Sequence, residues 1–264
     1  MRLLNSTIQS GGFTWTTGKG TVLATAIHNG HSVRPEVLEC LALDENERLR
    51  EEDPFTGDWT DLSAHRLIVE RSRFECDLNR PRKEAIYVGP KAAWGLDLYR
   101  EPLTKEIRTR SLEFYDDFYQ SVETFITSQL ERQSHFLVID LHSYNHRRNG
   151  PDSKPADAAT NPEINLGTLH ITPAEYWMEL VEIFESTLRS YDLDVKHNVP
   201  FEGGHFPQWL NRKWLGRVCA LTVEVKKVFM DEWTGLRDNS EFLHIGIALK
   251  KATQAAEQKL ISLS

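Results

Sequence analysis

The sequence predicts an α/β protein. It reads as a single domain over residues 1–264, with a central mixed, mostly parallel sheet and helices on both faces. Three observations lead there. Short apolar runs rich in β-branched residues alternate with long amphipathic segments, the pattern of a sheet covered by helices. The run at 136–141, F-L-V-I-D-L, is apolar apart from Asp140, as a strand buried on both faces requires. No internal repeat or linker-like stretch divides the chain, and 264 residues suffice for one large core.

The elements follow in order. Residues 1–19 carry Gly11, Gly12 and Gly18 and read as an edge hairpin or a loop. Residues 20–29, G-T-V-L-A-T-A-I-H-N, form a strand that ends in His28. Pro35 suits the first position of a helix over 35–43. Residues 46–61 hold Glu51, Glu52, Asp53 and Asp58 and read as a solvated loop that turns at Pro54 and Gly57. One acid of that loop is a candidate to fold back onto a metal. Residues 65–70 form a strand, and a charged segment with Arg71, Arg73, Asp77, Asn79 and Arg80 follows. A guanidinium fork at Arg73 or Arg80 suits a carboxylate; the competing reading is a surface salt-bridge network. A short strand is expected over 84–89.

The strongest helix spans 102–133, where Tyr115, Phe118, Val122, Ile126 and Leu130 recur at helical spacing as a core stripe. The strand at 135–144 comes next, then a long polar loop at 145–162, a rim or lid with Gly150, Pro151, Pro155 and Pro162. A strand over 164–171 returns to the sheet. Thr172, Pro173 and Glu175 spell a capping box for a helix to Tyr191. A strand at 193–198 runs into an open turn at Gly203 and Gly204. A strand at 218–225 and an amphipathic helix at 241–261 close the chain.

The chemistry gathers at strand ends. His142 stands where its strand stops, and ligands of open α/β sheets sit at the carboxyl ends of strands. Asp140 lies two residues earlier on the same side and is costly to bury unless paired or bound. A lone His142 reads equally well as a hydrogen-bonded core histidine. His28, ending a second strand of the same design, shifts the balance toward a metal, since neutral imidazole is a common ligand. A catalytic zinc site takes three protein ligands, often two His and a carboxylate. Glu224, near the end of V-C-A-L-T-V-E-V, suits a general base; its structural alternative is a pairing with Lys226, Lys227 or an arginine.

Composition narrows the classes. The net charge of −8 argues against a nucleic-acid partner. Cys40, Cys76 and Cys219 are widely spaced, so neither a disulfide framework nor a C-x-x-C site is expected; reduced thiols in the cytoplasm are. The first residues lack the apolar core and cleavage site of a signal peptide. No apolar run approaches the roughly 20 residues of a membrane span. No G-x-S-x-G elbow supports a serine hydrolase.

The stretches I-H-N-G at 27–30, S-R-F-E-C-D-L-N-R at 72–80, V-I-D-L-H-S at 138–143, I-N-L-G at 164–167, N-V-P-F-E-G-G at 198–204 and L-T-V-E-V at 221–225 occur in this order over most of the chain. Together they resemble the N-formylglutamate amidohydrolase family, whose fold groups with the zinc carboxypeptidases and aspartoacylase-like amidohydrolases. The resemblance implies one zinc per chain, held by His28, His142 and a carboxylate. Asp53 matches best for that carboxylate, with Glu52 its rival. It implies Glu224 as the catalytic glutamate, Asn79 and Arg80 as the pair that holds a substrate carboxylate, and Arg73 as the group polarising the scissile carbonyl. The expected activity is zinc-dependent cleavage of an N-acyl amino acid, such as N-formylglutamate, with a small carboxylate-bearing substrate as partner. The alternatives are a carboxypeptidase or deacylase on another amide, and a non-catalytic protein that binds an acidic metabolite. The chain departs from the family pattern at Asn29, where a Ser is usual, in E-E-D-P-F-T-G at 51–57, and in the 145–162 loop, which adds Arg147 and Arg148. A contact from those two arginines to a second acidic group competes with simple solvent exposure.

Overall fold

The computed structural model describes residues 6–263. Its strands are β1 (Ser6–Ser10), β2 (Phe13–Thr17), β3 (Val22–Ala26), β4 (His65–Val69), β5 (Phe136–Tyr144), β6 (Ile164–Gly167), β7 (Val195–His197) and β8 (Val218–Lys226). They form one eight-stranded sheet in the order β1-β2-β4-β3-β5-β8-β6-β7. The centre, β4-β3-β5-β8, is parallel. The β1–β2 hairpin and β6 join antiparallel, and β7 pairs parallel to β6. The sheet is thus mixed and mostly parallel at its core. Residues 1–5 of the expected hairpin or loop lie outside the described residues.

The helices are α1 (Pro35–Leu38), α2 (Glu45–Glu51), α3 (Thr56–Trp59), α4 (Lys105–Leu130), α5 (Ala174–Arg189), α6 (His205–Lys213) and α7 (Asn239–Ser262). Strand alternation divides the core in two. Val22, Ala24, Leu137, Ile139, Leu141, Leu221 and Val223 face one side and pack with α5 and α7. Leu23, Phe136, Val138, Val218 and Ala220 face the other and pack with Phe118, Val122 and Ile126 of α4 and Phe206 and Leu210 of α6. No helix among the described residues is long and apolar enough to cross a membrane.

Several elements differ from the sequence reading. Residues 46–61 are not a loop. Asp44 caps α2 by accepting from the Glu47 amide, and the Glu47 side chain accepts from the Asp44 amide, a complete capping box. Turn α3 then buries Trp59 against Phe229 and Phe242. Residues 84–89 make no strand; a 3-10 turn at Arg82–Glu84 runs into their start. The capping box at Thr172 does not form, because Pro173 is the cap residue and no side chain bonds the first turn of α5. The 145–162 loop holds no helix or strand, as expected. Helix α1 stops at Leu38, short of residue 43.

One glycine fixes the approach of the chain to the site. A Cβ on Gly30 would lie 2.2 Å from the Glu70 carbonyl carbon and 2.5 Å from the Arg71 nitrogen. These are backbone atoms, held by Ser32 N donating to Glu70 O at 3.0 Å. Gly30→Ala therefore forces either the turn after His28 or the end of β4 to move. We expect a loss of about 1–3 kcal/mol in urea unfolding, the usual cost of overpacking. An unchanged midpoint would show that the two backbones separate freely.

Candidate active site

The site grows from the register of three parallel strands. On the face covered by α4 and α6, the apolar positions end at Leu23, Val138 and Ala220. The next inward positions are Thr25, Asp140 and Thr222, and after them His142 and Glu224. Thr25 is paired with Asp140, Asp140 with Thr222, and His142 with Glu224. Polar groups thus replace the core where the strands reach their carboxyl ends. His28 stands two residues beyond β3, so its ring meets that of His142, with centroids 4.8 Å apart.

Each imidazole is held from behind. His28 Nε2–H donates to Asp77 Oδ1 at 2.7 Å, and His142 Nε2–H donates to Asp140 Oδ2 at 2.9 Å. Asp140 Oδ1 also accepts from the Thr25 hydroxyl at 2.7 Å. The two Nδ1 atoms turn toward Asp53 Oδ2, at 3.5 Å for His28 and 2.9 Å for His142. His28, Asp53 and His142 are all buried, and one ligand atom from each lies within 4.8 Å of the others. Two imidazoles and a carboxylate form a donor set that fits zinc. Carboxylates on the outer ring nitrogens are the usual support for such ligands.

Charges respond to this crowding. Burial opposes ionisation of Asp53, but hydrogen bonds from His142 and His28 hold its carboxyl well below the usual range. Asp77 behaves alike: burial works against its charge, while Arg73 and His28 keep it ionised. For His142, burial disfavours the imidazolium, yet Asp140 and Asp53 carry its pKa well above the ordinary value. Burial pushes Glu224 up to about 7, Asp53 and Asp140 adding to the rise while His142 and His28 oppose it.

Asp53 and Glu52 part company. Asp53 enters the cluster with its amide donating to His28 O at 3.0 Å. Glu52 points away, and its carboxylate accepts from Ser72 Oγ and pairs with His31 Nδ1. Behind them Lys227, fully buried, donates to Arg50 O at 2.6 Å and Glu52 O at 2.8 Å. Its ammonium closes the carbonyl end of α2. The sequence reading named Lys227 only as a possible partner of Glu224; its ammonium is spent instead on the carbonyls of Arg50 and Glu52, a role no sequence signal marks. Asn29, unusual for the pattern, accepts from the Gly57 amide at 2.9 Å and ties the His28 turn to α3.

Beside the cluster lies a cleft of about 410 Å³, lined by Arg73, Asn79, Arg80, Glu224 and Lys227 among others. The size suits a small molecule. Arg73 donates to the Tyr87 hydroxyl at 3.1 Å and to Asp77 at 3.0 Å, with Trp94 over its face. Arg80 donates to Ala92 O at 2.8 Å and stacks on Tyr87. Asn79 Oδ1 accepts from the Phe206 amide at 3.0 Å, which leaves its Nδ2 without that duty. Gly204 permits this arrangement, since a Cβ there would stand 2.1 Å from the Asn79 amide. The sequence-predicted residues His28, Asp53, Arg73, Asn79, Arg80, His142 and Glu224 all line this one cleft.

The N-formylglutamate amidohydrolase family model matches residues 20–230, most of the chain. The chain belongs to the N-formylglutamate amidohydrolase family. It is therefore grouped with hydrolases of amide bonds that act on small substrates. The structure of N-formylglutamate amidohydrolase from Ralstonia eutropha JMP134 superposes with a TM-score of 0.76 at 17% identity, covering 96% of this chain and 99% of its own. A gene product from Agrobacterium tumefaciens superposes with a TM-score of 0.70 at 17% identity, covering 95% and 96%. A metallo-carboxypeptidase from Burkholderia cenocepacia aligns at 0.38 and 14% identity, over 98% of this chain and 65% of its own. No curated protein matches the chain. The two superpositions at TM-scores of 0.76 and 0.70 show a shared fold.

The raised Glu224 carboxyl has a signed consequence. Its ordinary value is 4.5, and in the folded chain it titrates near 7. Between those values the folded state holds a proton that the unfolded state has released, so stability falls as pH rises. In metal-stripped protein, wild type should lose unfolding free energy relative to Glu224→Gln from about pH 4.5 to about pH 7. A wild-type–variant difference that stays flat over this window, measured by urea titration at several pH values, would show that Glu224 does not titrate there.

Proposed function

We propose that the chain is a zinc-dependent amidohydrolase that cleaves the amide bond of an N-acyl amino acid such as N-formylglutamate. The observation that carries this reading is the buried His28–Asp53–His142 cluster, with both imidazoles braced by carboxylates and Glu224 beside it. Family membership and the name of the Ralstonia eutropha neighbour support the substrate class.

In this reading His28, Asp53 and His142 hold the zinc. When bound, zinc supplies Lewis-acid polarisation of the amide carbonyl and lowers the pKa of water at that point. Glu224 takes a proton from the attacking water and passes it to the leaving nitrogen; a carboxyl poised near neutrality suits both transfers. Arg73, fixed by Tyr87 and Asp77, supplies positive charge where negative charge develops on the former carbonyl oxygen. Arg80, with Asn79 Nδ2, holds the substrate carboxylate and sets its register.

The metal reading is tested by metal content. Purified protein should carry about one zinc per chain. His28→Ala and His142→Ala should each lose most of it, and Asp53→Ala should weaken zinc binding more than Glu52→Ala. Full zinc retention in both histidine variants would reject the site.

The base is tested separately. Glu224→Gln keeps the side chain's shape but cannot accept a proton. It should fold, retain zinc and lose on the order of 10²-fold or more in kcat on N-formyl-L-glutamate. Lost stability with near-normal kcat would instead make Glu224 a strut of the sheet.

A further inference from the structure

We propose that Tyr87 is a positioning residue of the cleft whose hydroxyl and ring serve different functional groups. The hydroxyl aims Arg73 and steadies the brace of His28, and the ring is the platform that holds Arg80. This rests on the amidohydrolase reading above and adds to it a residue buried behind the wall of the cleft.

Tyr87 is 2% exposed and packs in a small apolar cluster with Val37, Phe74, Ala93 and Leu98. Asp77 N donates to Ala85 O at 2.7 Å, which brings the chain before Tyr87 against the turn that carries Asn79 and Arg80. The Tyr87 hydroxyl donates to Asp77 Oδ2 and accepts from Arg73 Nε at 3.1 Å. Arg73 Nη2 donates to the same Asp77 Oδ2 at 3.0 Å. Three hydrogen bonds thus close a ring through Arg73, Tyr87 and Asp77. Burial holds the hydroxyl protonated, with its pKa above the ordinary tyrosine value, so it remains a donor to Asp77.

This ring divides a fork that would otherwise close. A guanidinium beside a carboxylate favours two parallel bonds, one to each oxygen. Here the Nε–Nη2 edge of Arg73 spans Tyr87 Oη and one oxygen of Asp77. The other oxygen, Oδ1, is left to His28 Nε2 at 2.7 Å and the Asn79 amide at 2.8 Å. Without the hydroxyl, Arg73 Nε is drawn to Asp77 Oδ1 in competition with His28. Arg73 then loses its aim, and His28 loses part of its brace. The aromatic ring has a separate duty. The Arg80 guanidinium lies over it, 4.7 Å from the centroid, while Arg80 Nη2 donates to Ala92 O at 2.8 Å. Trp94 packs against the Tyr87 ring at 5.8 Å and an interplanar angle of 62°. An aromatic face holds a cation through its quadrupole whether or not a hydroxyl is attached. Tyr87 is therefore the shared support of three groups: the arginine assigned to the developing oxyanion, the carboxylate behind a metal-ligand candidate, and the arginine assigned to the substrate carboxylate.

Two substitutions separate the parts. Tyr87→Phe removes only the hydroxyl, and Tyr87→Leu removes the ring as well. Zinc affinity, measured by competition with a chelator, should fall on the order of tenfold in both, the usual cost of disturbing the groups behind a metal ligand. With N-formyl-L-glutamate at saturating zinc, kcat should fall on the order of tenfold in both, because Arg73 is misaimed. KM should stay within about twofold in Tyr87→Phe and rise on the order of tenfold in Tyr87→Leu, since only the leucine takes the platform from Arg80. Tyr87→Phe keeps the shape of the core, so its lower zinc affinity, lower kcat and unchanged KM carry the test alone if the leucine variant does not fold. Wild-type zinc affinity or wild-type kcat in Tyr87→Phe overturns the proposal, as does a KM that rises equally in both variants. If the wild-type protein turns over no N-formyl amino acid, the amidohydrolase reading fails, and the zinc affinities of the two variants decide this proposal. Normal wild-type turnover with any of the overturning outcomes leaves the amidohydrolase reading standing and this proposal rejected.

Discussion

Asp140 lies at 0% exposure in the middle of β5, where an uncompensated charge costs on the order of several kcal/mol. Thr25 on the neighbouring strand and His142 two residues on supply its hydrogen bonds. That need orients His142: with Nε2 committed to Asp140, Nδ1 must face the cleft. Asp77 imposes the same constraint on His28, and Tyr87, Arg73 and the Asn79 amide satisfy its remaining lone pairs. The rings are thus aimed by the cost of burying two carboxylates. The aim holds only while the register of β3, β5 and β8 holds. Slipping one strand by a single residue would carry His142 or Glu224 to the face packed by α5 and α7.

The third donor comes from outside the sheet and is delivered by different means. Asp53 follows a short charged helix whose start is fixed by the Asp44–Glu47 box and whose end is closed by Lys227. Its amide bonds the carbonyl of His28, and its carbonyl accepts from the Thr56 hydroxyl at 2.7 Å. One segment therefore carries both the helix end and the ligand candidate. Lys227 lies on the same strand-to-loop path as Glu224. The base candidate and the brace of the carboxylate candidate are thus fixed by one stretch of backbone, the end of β8 and the turn at Lys227–Phe229.

What the sequence showed and what it hid follow from the same physics. The β5 and β8 strands were legible because burial on both faces leaves long apolar runs, and a polar residue inside such a run stands out. His142, Asp140 and Glu224 were visible for that reason. Residues 46–61 were misread because α2 is short and mostly charged, so periodicity carries no signal; the Asp44–Glu47 spacing was the available cue. Asp53 against Glu52 was not decidable from the chain, since neighbouring residues in extended backbone point apart and only the positions of Ser72, His31 and His142 settle which turns inward. The capping box at Thr172 shows the opposite error, a correct spacing that the chain does not use.

The charge pattern of the cleft explains why its titrations run as they do. Asp53, Asp77, Asp140 and Glu224 crowd into one buried region beside two imidazoles. Such a cluster lowers its energy by gathering positive charge. In the bare protein the source is protons: His142 holds one well above its ordinary range, and Glu224 keeps one up to about pH 7. Arg73, over Asp77, meets part of the same demand permanently. A divalent cation against His28, Asp53 and His142 would meet the rest, and it would compete with the protons on His142 for the same field. The proposed zinc site and the raised His142 titration are then two outcomes of a single excess of buried negative charge, whereas the Glu224 proton is due first to burial.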